Sequence, residues 1–110
     1  PAGPQQAGRI VALLLQFAEK NPGMSRVMNG EALAFEHDRL QERINLLFDK
    51  IEAQLRQSLK TAEVPAANAE VQVTASVLVA FMQGRLQRFA RSGFKRLPSE
   101  HLQAALGRML

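Results

Sequence analysis

The sequence contains no cysteine. Disulfides, thiolate nucleophiles and Cys-based metal sites are therefore excluded, and the composition is compatible with a reducing compartment. Long apolar runs are missing as well. The strongest, Ile10 to Leu15 and Val77 to Met82, fall far short of the roughly 20 residues that a membrane helix needs, so no membrane association is expected. No secretory leader pattern is visible. There is no Gly-rich phosphate loop and no nucleophile motif, and Ser25, Ser58, Ser76, Ser92 and Ser99 fall in helical or capping contexts. Only two histidines occur. His37 lies between Glu36 and Asp38, but successive helical residues point about 100° apart, so the three do not converge on a metal. His101 stands alone. No catalytic residue, metal ligand or cofactor is expected, and an enzyme is the weakest of the function classes.

What is present describes a folded helical domain. The 110 residues and 12.2 kDa make one domain, long enough to bury a core. A hydrophobic content of 46% argues against disorder. The chain begins at Pro1 rather than Met, so a piece of a longer protein is expected. The formal net charge of +4 and pI near 10.4 invite an acidic partner, although the cations are mostly spread over helix faces.

The organising stretch is Glu31 to Lys60, with no Pro or Gly inside. Leu33, Leu40, Ile44, Leu47, Ile51, Leu55 and Leu59 recur at steps of three, four or seven, the spacing of one apolar stripe on a helix. Such a helix spans roughly 45 Å and needs others packed along it. Before it, Pro1 to Gln6 reads as a frayed start. Ala7 to Lys20 is a helix apolar nearly all round, so more than one face must be covered. Asn21-Pro22-Gly23 is a break, with Asn21 as N-cap of a short helix over Pro22 to Met28. After the long helix, Thr61 to Asn68 reads as a loop. Glu70 to Phe89 alternates as a strand would at Val71, Val73, Ala75, Val77 and Val79. It is too long for a strand and has no partner strand, so it is assigned as a helix. Pro98-Ser99 opens the last helix, with Ser99 as N-cap and Leu102, Ala105, Leu106 and Met109 as its apolar face. The reading is all-α, about five helices in one domain over residues 1–110.

Two runs carry a resemblance: KNPGMSRVMNGEALAFEHDRLQERINLLFDKIEAQLRQSL, residues 20–59, and FMQGRLQRFARSGFKRLPSEHL, residues 81–102. Both resemble the SlmA-like nucleoid occlusion factors of the TetR regulator superfamily. The resemblance implies a TetR-type C-terminal helical domain that forms a homodimer through a four-helix bundle. It implies that DNA is bound only through an N-terminal helix-turn-helix domain, absent from these residues. It further implies a cytoplasmic, nucleoid-associated protein that engages the C-terminal tail of FtsZ, the tubulin-like division protein, and blocks division-ring assembly over the chromosome. On matching positions it makes Leu13, Lys20 and Asn21 groove residues. Gln16 departs from the family pattern, which has glycine there.

Each candidate has a plainer reading beside it. Lys20 and Asn21 are placed to receive an acidic, apolar tail, with Leu13 and Phe17 supplying apolar contacts. Equally, Lys20 is a favourable cation at a helix C-terminus, Asn21 a cap and Leu13 core. Ala75, Leu78, Val79, Met82 and Leu86, with Leu102, Ala105 and Leu106, are expected at the dimer interface, the alternative being an intrachain core stripe. Arg85, Arg88, Arg91, Lys95 and Arg96 form a run of cations without an intervening acid, open to nucleic acid or an acidic protein, or simply cations at a helix C-terminus. The competing function is a small-molecule-sensing effector domain of a TetR-type regulator, with an apolar pocket among Phe35, Phe48, Met28 and the first helix.

Overall fold

A computed structural model describes residues 3–23, 37–60 and 68–110. Among these residues the fold is four helices without a strand: α1 (Pro4–Glu19), α2 (His37–Leu59), α3 (Asn68–Arg91) and α4 (Leu102–Met109). The long helices α2 and α3 pack along each other, α1 lies against both, and α4 packs on α3. The extents are 47 × 29 × 18 Å. The thinnest dimension equals about two helix diameters.

From Gly3 onward the expected frayed stretch is docked. Gly3 is buried, and its N–H donates to the Ser58 carbonyl of α2 at 2.7 Å. Its φ of 93° lies in the region that favours glycine. Pro4 then occupies the first helical position, where its fixed φ suits the helix and its missing N–H costs nothing. Helix α1 buries Ala7, Val11, Leu15 and Ala18. At its end Asn21, expected to cap the helix that follows, donates its side-chain amide back to the Phe17 carbonyl at 2.7 Å. Only Pro22 and Gly23 of the expected short helix lie within the described residues, and both are helical.

Helix α2 covers the described part of the long apolar stretch; residues 31–36 lie outside the described residues. Its buried face runs through Ile44, Phe48, Leu55 and Ser58. Leu47, expected in the stripe, is exposed, and Phe48 takes the inward position. Steps of four, seven and three from Ile44 stay on one face, whereas Leu47 falls to its flank. Glu52 and Arg56 pair across one turn at 3.1 Å on the outer side.

Helix α3 starts at Asn68, two residues earlier than its periodicity indicates. Ala75, Leu78, Val79, Met82 and Leu86 are all buried against α1 and α2, and Leu102 and Leu106 are buried from α4; Ala105 is half-buried. Seven of the eight residues expected to meet a second copy are therefore covered within the single chain, because α3 turns its larger apolar side chains inward. Each such burial contributes about 1.5–3 kcal/mol. What α3 leaves outside is Val73 and Val77, 63% and 46% exposed, with Ser76, Ala80 and Gly84 on the same side.

The end of α3 is closed by a Schellman arrangement. Gly93 adopts φ 66° and its N–H reaches the Ala90 carbonyl, while the Phe94 N–H reaches the Phe89 carbonyl at 2.8 Å. The apolar contact that accompanies this motif is the Phe94 ring edge-on to Phe89, centroids 5.1 Å apart. Helix α4 begins at Leu102, so Ser99 is not its N-cap. His101 holds that place at φ 55° without a side-chain cap, and Pro98 to His101 form a turn.

Candidate functional site

Leu13, Gln16, Phe17 and Lys20 follow one another at helical steps of three, one and three, which puts them on one side of α1. That side faces away from the core. Leu13 is 66% exposed and Phe17 50%, and Gln16 and Lys20 are exposed too. The plainer reading of Leu13 as core is thus not what the fold does: Val11 and Leu15 take the inward places. Leu13 and Phe17, one turn apart, form a small exposed apolar strip on α1 among the described residues. Lys20 ends the strip as the C-cap residue, beside the carbonyls of the last turn. Asn21 is half-buried, with its amide held on Phe17. The structure brings all four expected partner-binding residues to one end of one helix.

That end of α1 is tied to the far end of the chain. The Glu19 carboxylate accepts a hydrogen bond from the Ser99 N–H at 2.8 Å. The next residue, Glu100, is the hub of a charged corner. Arg96 donates to its carboxylate through Nη2 at 2.7 Å and Nε at 3.4 Å. Arg85 donates to its backbone carbonyl while its guanidinium lies over the Phe81 ring, 4.6 Å from the centroid. His101 Nε2 lies 3.8 Å from the same carboxylate. The Arg96 hydrogen bond holds the Glu100 carboxyl below its ordinary range and raises Arg96 in return. Burial lowers Arg85, and neighbouring Arg88 adds to this. Neither Glu19 nor Glu100 was singled out from the sequence. A signal for Glu100 exists, since it lies four residues after Arg96; none exists for Glu19, 80 residues from its partner.

An apolar cavity of about 40 Å³ lies between α1, α2 and α3, bordered by Leu14, Phe17, Leu47, Phe48, Ile51 and Met82. Ligand pockets usually hold about 300–1,000 Å³, so these three helices are packed nearly full. A larger cleft of about 500 Å³ between the start of α1 and α4 is an open surface groove that includes Gln5, Arg9 and Gln103. Of the expected sensor pocket, Phe48 is buried core, and Met28 and Phe35 lie outside the described residues.

The family pattern described as the SlmA-like tetracyclin repressor-like C-terminal domain matches residues 6–108. The chain belongs to this family. Curated relatives include the nucleoid occlusion factor SlmA of Edwardsiella ictaluri, 48% identical over 97 residues. Those of Escherichia coli O81 and Sodalis glossinidius are each 50% identical, over 98 and 97 residues. In each case the alignment covers 86% of this chain and 49–50% of the relative. The chain thus spans about half the length of the curated relatives it matches. The SlmA-like domain is all-helical, in keeping with the tetracyclin repressor-like family, and no described helix is long and apolar enough to cross a membrane.

Proposed function

We propose that this SlmA-like domain is the dimerising, FtsZ-binding part of a nucleoid occlusion factor that blocks division-ring assembly over the chromosome. In this reading, residues 1–110 form a C-terminal domain, and DNA contact belongs to an N-terminal helix-turn-helix domain outside them. The mechanism is binding without chemistry. One observation carries it: Leu13 and Phe17 stand exposed on α1, on a strip that ends at Lys20 and Asn21. An extended peptide with apolar side chains and a negative charge matches such a strip, the apolar residues supplying area and Lys20 the direction.

The dimer contact moves from the buried face of α3 to its outer one. Val73, Ser76, Val77, Ala80 and Gly84 make a low stripe that lets a second helix approach closely. An isologous pairing of α3 and α4 from two copies would give four helices and fix two peptide strips relative to the DNA-bound heads.

The test is a titration of fluorescently labelled FtsZ C-terminal tail into the native-length protein, beside Lys20→Glu and Leu13→Glu variants. Both side chains are exposed, so neither change opens the core. Saturable binding that weakens at least about tenfold in both variants, with the dimer intact, supports the reading. Binding that is absent, or unaffected by both, rejects it.

A further inference from the structure

Residues 85–100 hold five of the chain's 14 Lys and Arg but one of its 10 Asp and Glu. The remainder carries nine of each, so the formal +4 resides in this one corner. The cations there are unequally used. Arg85 and Arg96 are spent on Glu100. Arg88 is held more loosely: its Nη2 pairs with the Glu100 carboxylate at 4.0 Å, and both Nη2 and Nε are covered without making a hydrogen bond. A covered guanidinium donor lacking a hydrogen-bond acceptor is unfavourable. Arg91 and Lys95 are exposed and have no ion pair among the described residues.

We propose that this corner, through the exposed Arg91 and Lys95, docks an acidic segment of the same peptide that lies along the outer strip of α1. The proposal rests on the tail-binding reading above. Continuity supports it: the Glu19 hydrogen bond to Ser99 places the end of α1, with Lys20, directly against the corner. The corner also already holds one carboxylate in a two-pronged grip, that of Glu100 by Arg96. A nucleic acid is a poorer match. Two unpaired cations are few beside the roughly six to ten phosphate contacts of a duplex binder. The aromatic rings offer no stacking platform either, since Phe89 is buried and Phe94 is packed edge-on against it.

The experiment compares the FtsZ tail peptide with a copy whose Asp and Glu are replaced by Asn and Gln. Both are titrated into the native-length protein and into an Arg91→Glu/Lys95→Glu variant at about 50 and 500 mM salt. Both side chains are exposed, so the variant folds as the parent does. The variant weakens the acidic peptide about tenfold at low salt and less than about twofold at high salt, because screening removes the term. It leaves the neutralised peptide within about twofold at either. Equal losses for both peptides, or no loss, overturn the corner while leaving the α1 strip standing. No binding of either peptide to the parent protein rejects the strip, and the corner with it. A loss confined to a random-sequence duplex assigns the corner to nucleic acid and likewise overturns the proposal.

Discussion

Helices α1 and α3 each leave apolar residues in solvent, but they do so differently. On α1 the exposed residues are large and separate, Leu13 and Phe17, and the strip ends in a cation. On α3 they are small and continuous, from Val73 through Ala80 to Gly84, without a charge until Arg91. Large knobs need pockets or an adaptable chain to surround them, whereas a low stripe is covered well by another rigid helix. The same excess of apolar residues thus supports two kinds of contact, a peptide on α1 and a second copy on α3. The inward faces of the two helices hold the fold together and leave both outward faces available.

The sharpest way to break this comparison is to cross from the outer to the inner face of α3. Phe89 is 1% exposed and anchors both the core and the Schellman closure through Phe94. Phe89→Ala is expected to cost about 3–5 kcal/mol, read by urea denaturation. Val73→Ala, on the outer face, should stay within about 0.5 kcal/mol in the monomer. Similar losses at the two positions would mean that the outer face is core as well.

How much of this was legible in the sequence follows from the same two faces. The existence of α1, α2 and α3 is plain from apolar spacing and from the breaks at Asn21-Pro22-Gly23 and Pro65. The orientation of α3 is not. Val71, Val73, Ala75, Val77 and Val79 alternate, and on a helix that alternation scatters valines over both sides, so no apolar stripe points to the core. Between the two readings of Ala75, Leu78, Val79, Met82 and Leu86, interface or intrachain core stripe, periodicity alone does not choose; in the single chain they are buried. The α1 strip was visible as residues, through the family resemblance, but not as a surface, because Leu13 to Leu15 are three leucines in a row. The start of α4 was misread at Ser99 because the turn is held by Glu19 from the other end of the chain, which no local signal records.

The dimer contact gives the second prediction. Val77 is about half exposed, so Val77→Glu leaves the monomer core intact but places a charge in the middle of the outer stripe. In an isologous contact the two glutamates come from both copies, and each is desolvated without a partner. The expected result is a light-scattering mass that falls from twice 12.2 kDa to the single-chain value for a 110-residue fragment, with an unchanged helical circular dichroism spectrum. A mass unaffected by Val77→Glu would remove this face from the dimer.

Gly84 separates the two roles of α3 most finely, because the same change acts in opposite directions on them. A methyl added there meets no atom within 4 Å in the single chain. The residue sits in the interior of a helix, where glycine is about 0.8–1.0 kcal/mol less favourable than alanine. At concentrations where the chain is monomeric, Gly84→Ala should therefore raise stability by about that amount in urea denaturation. If the second copy approaches over Gly84, the added methyl stands between two backbones and the dimer weakens. A monomer that gains stability while its dimer dissociates more readily places Gly84 at the close approach. A gain in the monomer with unchanged dimer affinity moves the crossing toward Val73 and Val77, at the other end of the stripe.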